Sequence, residues 1–110
     1  MVIELLKFKV PLSEQEEYLQ KDAEIWTATL AKYPGFLSKE IWVNSEMPEE
    51  LTLVIYWETR EQWKAIPLDD LTLTETSFVE VMGKSYPILE SREYQLKSVN
   101  REVLMQDSNY

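Results

Sequence analysis

The stretch Leu51–Ile66 constrains the fold most, because a strand pattern changes to a helix pattern there at a single residue, Thr59. Before Thr59, large apolar side chains recur at every second position, at Leu51, Leu53, Ile55 and Trp57. A period of two in apolar and aromatic residues is typical of a buried strand. From Thr59 the chain reads Thr-Arg-Glu-Gln, so the Thr59 hydroxyl can cap a helix while Gln62 reaches back to the cap. The stretch therefore predicts a strand that leads directly into a helix.

Composition excludes several kinds of chemistry. A chain of 110 residues that is 45% hydrophobic is expected to form one ordered domain with a single core. Without cysteine it has no disulfide, no thiol nucleophile and no cysteine metal site. Without histidine it lacks the commonest metal ligand, the usual general base and the usual proximal haem ligand. We therefore expect neither a metal nor a cofactor.

The charge balance indicates which partners to exclude. Eleven basic against 20 acidic residues give a formal charge of −9, which repels a phosphate backbone, so no nucleic-acid partner is expected. No run approaches the roughly 18 apolar residues of a membrane span, and the residues after Met1 lead us to expect no signal peptide. A cysteine-free chain suits a reducing compartment, so the sequence predicts a cytoplasmic protein without a membrane partner.

Patterns along the chain predict the other elements. A strand over residues 2–10 is followed by a helix that opens with a capping box at Ser13 and runs to about Tyr33. A second strand covers residues 36–43, and the short helix after Thr59 stops before Pro67. The last two elements are a helix capped by Asp69 or Asp70 that ends at Gly83, and a polar strand over residues 88–99.

This order, β-α-β-β-α-β, predicts an α+β, ferredoxin-like fold with a four-stranded antiparallel sheet. It assigns residues 1–99 to a single domain and residues 100–110, with an apolar group at Val103–Met105, to a C-terminal tail. Two helices can cover only one face of such a sheet, and the other face carries large apolar side chains. A second copy would cover it, so we expect a homodimer whose interface exceeds about 1,600 Å².

The Trp-Glu-Thr-Arg-Glu sequence of residues 57–61, at a strand-to-helix junction in this order of elements, resembles the antibiotic biosynthesis monooxygenase superfamily of dimeric α+β barrels. The Tyr-Pro-Gly-Phe turn of residues 33–36 is similar to the same superfamily. Residues 22–27 and 31–37 further resemble a small cyanobacterial branch of uncharacterised proteins. The resemblance covers residues 1–99 and implies a small-molecule cavity beside the strand that carries Trp57.

The resemblance implies several activities. Some relatives are cofactor-free monooxygenases that act on polycyclic phenols, whereas others degrade haem, are isomerases or dismutases, or have no known activity. Many members carry histidine nine residues after the box tryptophan, where this chain has Ile66. Haem-degrading relatives use Asn, Trp and His at positions where this chain offers Lys7, Ile66 and the region of Thr76, which argues against haem degradation.

Four residues are candidates for ligand contact. Trp57 could stack on a flat ligand, or could be a core tryptophan where the strand meets the helix. Ile55 shares its face of the strand. Trp26 lies on the apolar stripe of the first helix, where a core role is the alternative. Trp42 is the fourth candidate, on the second strand.

Glu40 is the candidate catalytic base, because it shares a face of the second strand with Trp42. A carboxylate beside an aromatic group in an apolar cavity can accept a substrate proton. The alternative is an edge-strand glutamate that pairs with Lys39 or Arg92.

Two hypotheses of different classes follow. The first is a homodimer that binds a small, flat hydrophobic molecule in its barrel, as a cofactor-independent monooxygenase. The second is a non-catalytic dimerisation or ligand-binding module, which the isoleucine at position 66 favours. Haem binding through a tyrosine or a carboxylate is a weaker third hypothesis.

Overall fold

The computed structural model describes residues 1–100, and the apolar group Val103–Met105 of the predicted tail lies outside them. One antiparallel sheet contains the strands β1 (Val2–Lys9), β2 (Phe36–Val43), β3 (Glu50–Trp57) and β4 (Ile88–Gln95). The strand order is β2-β3-β1-β4, so β2 and β4 form the edges. The helical elements follow β1 and β3, which confirms the predicted ferredoxin-like arrangement.

Six helical segments accompany this sheet. The first helical region contains a 3-10 turn (Leu12–Glu14), α1 (Gln15–Lys21), a π-helical segment (Asp22–Thr27) and α2 (Ala28–Leu30). The second contains α3 (Arg60–Lys64) and α4 (Leu68–Met82). No helix among residues 1–100 is both long and apolar enough to cross a bilayer.

The predicted junction at Thr59 is confirmed. Thr59 has extended backbone angles (φ −134°, ψ 156°), and its Oγ1 accepts a hydrogen bond from the backbone N–H of Gln62 at 3.1 Å. The Gln62 side chain adds a local contact, since its Oε1 lies 3.1 Å from the Thr59 hydroxyl, which donates to it. Both contacts hold the first turn of α3 directly after β3.

The predicted capping box at Ser13 is wrong, because no side chain caps the start of this helical region. The chain leaves Pro11 in a 3-10 turn, and the side-chain amide of Gln15 donates to the carbonyls of Val10 at 3.0 Å and Pro48 at 2.7 Å. The bond to Pro48, which is 33 residues away in the sequence, tethers the helix start in place of a local cap. The region also ends earlier than expected, at Leu30.

The predicted cap of α4 is also wrong. The helix starts at Leu68, directly after Pro67, and has no side-chain cap. Asp69 and Asp70 lie instead in its first turn, where carboxylates interact favourably with the helix dipole. Gly83 ends the helix as predicted, with a left-handed φ of 80° and its N–H bonded to the Val79 carbonyl.

The sheet has one face under the helices and one face turned away from them. Pairing of β1 with β3 places Val2 opposite Trp57 and Glu4 opposite Ile55, and these side chains lie on the helix-covered face, here called the inner face. The alternate residues form the outer face: Ile3, Leu5, Lys7, Thr52, Val54 and Tyr56. The strand β4 ends at Gln95 and not at Val99 as predicted, beyond which Leu96 N–H donates to the Met1 carbonyl.

Candidate functional site

A cavity of about 470 Å³ lies between the inner face of the sheet and the helices. Its walls come from two clusters of core side chains, one around Trp57 and Ile66 and the other around Tyr18 and Phe78. Trp26 packs against both clusters and lines the cavity between them. Ligand pockets in proteins typically measure about 300–1,000 Å³, so this space can hold a molecule of several rings.

Trp57 is both a core residue and a cavity wall. Its side chain is fully buried and meets the Phe36 ring edge-on, with ring centres 5.7 Å apart. Its indole Nε1 donates to Oε1 of Glu4 at 3.3 Å. These contacts fix the ring plane, so the two interpretations of Trp57 are compatible, and its contact with a ligand stays a prediction.

The structure brings three of the sequence-predicted site residues together. Trp57, Trp26 and Ile55 all line the cavity. Ile66, at the position where many relatives carry histidine, lies in the same wall and is 8% exposed. The cavity wall therefore has an alkyl side chain at the position where the resemblance to the superfamily implies histidine.

Glu40 and Trp42 lie elsewhere, on the outer face. Glu40 Oε1 accepts hydrogen bonds from the Tyr56 hydroxyl at 2.8 Å and from the Trp42 indole at 3.2 Å. The expectation that Glu40 lies beside the cavity is wrong, because β2 turns Lys39 inward and its neighbour Glu40 outward. The Tyr56 pKa is raised, chiefly because its hydroxyl donates to this carboxylate.

The expected partners of Glu40 are engaged with other residues. Lys39 pairs with Asp22 across the cavity wall, with Nζ and Oδ2 2.5 Å apart. Arg92 lies 3.3 Å from Glu90 on its own strand. The edge-strand interpretation of Glu40 is therefore correct in its location, whereas the partners it named are wrong.

The ion pair of Asp22 and Lys39 is a feature that sequence reasoning missed. Both side chains are only 4% exposed, and the pair joins the start of the π-helical segment to β2. Burial raises the pKa of Asp22, and the charge and hydrogen bond of Lys39 oppose this rise. A π-helical turn inserted in an α-helix often marks a functional site. The spacing of Asp22 and Trp26, four residues apart, brings both into the cavity wall.

Glu4 is the second missed residue. It lies on the inner face of β1, in an otherwise apolar series formed by Val2, Leu6 and Phe8. Burial raises its pKa, while the hydrogen bond from Trp57 and the charges of Lys64 and Lys39 lower it. The period-two pattern of β1 contained the signal, because a carboxyl group interrupts its apolar face.

The cavity offers no metal site of the usual kind. Among residues 1–100 there is no group of three or more histidine, cysteine, aspartate or glutamate side chains that could hold an ion. The walls provide aromatic surfaces, the Glu4 carboxyl group bonded to the Trp57 indole, and the ion pair of Asp22 and Lys39.

Comparison with solved structures shows the same fold in several proteins. A conserved protein from Methanosarcina mazei Go1 is 21% identical, with a TM-score of 0.61 over 87% of this chain and 92% of that one. SnoaB from Streptomyces nogalater, named as a cofactor-independent oxygenase, is 13% identical, with a TM-score of 0.66 over 89% of this chain and 94% of its own in one variant. No curated protein sequence matches the chain. At these identities the likeness shows the fold alone.

The fold and the cavity thus define an α+β domain of the ferredoxin-like class, with its pocket between helices and sheet. The family model for antibiotic biosynthesis monooxygenase matches residues 1–66, and the chain belongs to that family. The matched region contains β1, the first helical region, β2, β3 and α3, and thus both Glu4 and Trp57.

Proposed function

We propose that this protein binds a small, flat, largely apolar molecule in the cavity between its sheet and its helices. The observation that carries the proposal is an interior space of about 470 Å³ walled by Trp26, Trp57 and Trp63. Indole rings offer broad flat surfaces on which a planar molecule can stack. An interior filled by side chains would have argued against this function.

The enzymatic form of the proposal is a cofactor-independent monooxygenation. Family membership and the fold shared with the oxygenase SnoaB support it. Such a reaction requires an electron-rich substrate held beside O₂ in a site that excludes water. Oxygen uptake measured with a panel of polyphenols is expected for the wild type and expected to fall to background for Trp57→Ala. Uptake no greater than that of Trp57→Ala would reject the enzymatic form.

A non-catalytic ligand-binding or dimerisation module is the second candidate. The position of Glu40 favours it, because the candidate base lies on the outer face, bonded to Tyr56 and Trp42. Under this alternative, calorimetry would detect ligand binding without any oxygen uptake. Glu40→Gln should leave both ligand affinity and any oxygen uptake unchanged, because Glu40 lies on the outer face and does not line the cavity.

We further propose that the protein is a homodimer that packs outer face on outer face. Half-buried Ile3 and Leu5 lie at the centre of that face, and Trp42 on its edge strand is 49% exposed. Light scattering of the wild type at micromolar concentration should give twice the mass of one chain. Leu5→Glu should give a monomer, whereas Leu73→Glu on the exposed side of α4 should not. A monomeric wild type would contradict the proposal.

Composition supports a cytoplasmic location and the absence of a nucleic-acid partner. The chain has no cysteine and a formal charge of −9. The first fits the reducing cytoplasm, and the second disfavours a nucleic-acid partner. Fractionation of cells that express a tagged chain would test the compartment.

A further inference from the structure

The cavity wall contains more acidic than basic side chains. Of the described residues that line the cavity, Glu4, Asp22 and Glu75 carry carboxyl groups, and Lys39 carries the one cationic group. Lys39 is already paired with Asp22 at 2.5 Å, and both side chains are almost fully buried. An anionic ligand could recruit Lys39 only by leaving Asp22 buried without its counter-charge, which is strongly unfavourable. The wall is therefore unsuited to an anion.

Glu4 differs from Asp22, because its hydrogen-bond donor is neutral. Its Oε1 accepts from the Trp57 indole at 3.3 Å, and no lysine or arginine among residues 1–100 lies within 4.0 Å of its carboxylate. Lys64 acts on Glu4 only from a longer distance, since its ammonium group is held over the Trp63 ring, 4.0 Å from the centre. A ligand cation beside Glu4 would thus supply a counter-charge that the wall lacks.

The aromatic part of the wall favours the same kind of ligand. Five of the aromatic residues that line the cavity are tryptophans or tyrosines. Three of them, Trp26, Trp57 and Trp63, lie in or against the core cluster around Trp57, whose indole bonds Glu4, and Tyr18 and Tyr86 lie in or against the other cluster. The faces of these rings carry partial negative charge and attract cations, most strongly where water is excluded. A net charge of −9 also raises the concentration of cations around the protein.

We propose that the ligand of this cavity is a flat aromatic molecule with a protonated amine, which donates an N–H hydrogen bond to the carboxylate of Glu4. The proposal rests on the proposed binding of a flat apolar molecule and names its chemical class. It does not depend on whether the bound molecule is oxidised. The ring would stack among the tryptophans while the amine lies beside Glu4 and the Trp57 indole.

Three naphthalenes that differ in one substituent test this proposal: naphthylmethylamine, naphthylmethanol and naphthoic acid. Calorimetric titration of the full-length protein near neutral pH compares a cation, a neutral hydrogen-bond donor and an anion on the same ring. A charge-assisted hydrogen bond in a desolvated site predicts that the amine binds about tenfold or more tightly than the alcohol. The acid should bind most weakly.

Two variants separate Glu4 from the general negative charge of the protein. Glu4→Gln keeps an oxygen that can accept from Trp57, so it should fold, and circular dichroism can verify this. It should lower the ratio of amine to alcohol affinity to about one, because the affinity for the amine falls much further than the affinity for the alcohol. Glu80→Gln removes an equal charge from the exposed side of α4 and should leave the ratio unchanged.

The outcomes distinguish this inference from the function on which it rests. If none of the three compounds binds, both the proposed function and this inference are overturned. If the alcohol binds but the amine binds no more tightly, or if the acid binds best, only the inference is overturned. The same holds if the preference for the amine survives in Glu4→Gln.

Discussion

The two faces of one sheet differ in what they enclose, although alternate residues of the same strands form them. On the inner face, Trp57 and Glu4 meet in a cavity, and Lys39 pairs with Asp22 out of water. On the outer face, Glu40 and Trp42 form a hydrogen-bonded group that is open to solvent in a single chain. Similar pairs of glutamate and tryptophan therefore have different surroundings, because neighbouring side chains of a pleated strand point to opposite faces of the sheet.

The largest expected difference between the faces is the cost of removing a tryptophan. Trp57→Ala should lower the free energy of unfolding by about 3–5 kcal/mol, because it removes a large side chain that is fully buried and packs against Phe36. Trp42→Ala, from a side chain 49% exposed, should cost under about 1 kcal/mol in a single chain. Urea unfolding of both variants measures this. Equal losses at high dilution would show that the faces are packed alike.

The buried ion pair provides the next test. Lys39→Met leaves the Asp22 carboxylate without its partner and should destabilise the protein by about 3–5 kcal/mol, at the lower end if Asp22 takes up a proton. Lys21→Met breaks the exposed pair with Glu24, at 3.2 Å, and should cost under about 1 kcal/mol. Thermal or urea unfolding distinguishes them. A Lys39→Met variant as stable as Lys21→Met would refute the view that the inner pair is electrostatically isolated from water.

The pH dependence of stability tests whether the Glu4 carboxyl group is buried in the folded protein. Burial raises its pKa in the folded state, so its contribution to stability is complete below the unfolded pKa and is lost as the pH rises through the folded pKa. Glu4→Gln should therefore become more stable relative to the wild type as the pH rises from about 4 to about 8. The charges of Lys64 and Lys39 lower the Glu4 pKa, and Lys39 also pairs with Asp22. These three residues are the same in the wild type and in Glu4→Gln.

A matched control accompanies that measurement. Glu80→Gln removes an equal charge from the exposed side of α4 and shows how much of the pH dependence comes from the loss of a carboxylate in general. Urea midpoints at several pH values measure both variants. A flat difference for Glu4→Gln would mean that its carboxyl group is as well solvated as an exposed one.

The smallest effect is expected on the outer face. Tyr56→Phe removes the hydroxyl that donates to Glu40 at 2.8 Å and should cost about 0.5–1 kcal/mol, since the site is open to water in one chain. Tyr94→Phe, on β4 and 47% exposed, should change stability by less. A loss for Tyr56→Phe that grows with protein concentration would indicate that a second chain covers this group.

Several elements could be predicted because their signals are local. The strand of residues 50–57, the cap at Thr59 and the glycine stop at Gly83 depend on neighbours within a few residues. The helix starts at Leu12 and Leu68 could not be predicted in this way. A tertiary hydrogen bond from Gln15 to Pro48 holds the first, and Pro67 precedes the second, so local capping patterns were misleading.

The candidate site was predictable only in part. Trp57, Ile55 and Trp26 lie where apolar periodicity placed them, on surfaces that face the core. The irregular start of β2 hid the inward direction of Lys39, because the register shifts between Phe36 and Ser38. A bulge changes the parity of every later residue relative to the strand's beginning, and the sequence alone does not mark it clearly.

The class of fold, the family and the absence of histidine and cysteine chemistry follow from residue types and from periodicity along the chain. The packing of the folded chain, in contrast, is what places Glu4, and not Glu40, in the cavity with Trp57. It also joined Asp22 to Lys39 across 17 residues of sequence. Both results depend on register and on the packing of helices over one face, which are set by contacts between distant segments.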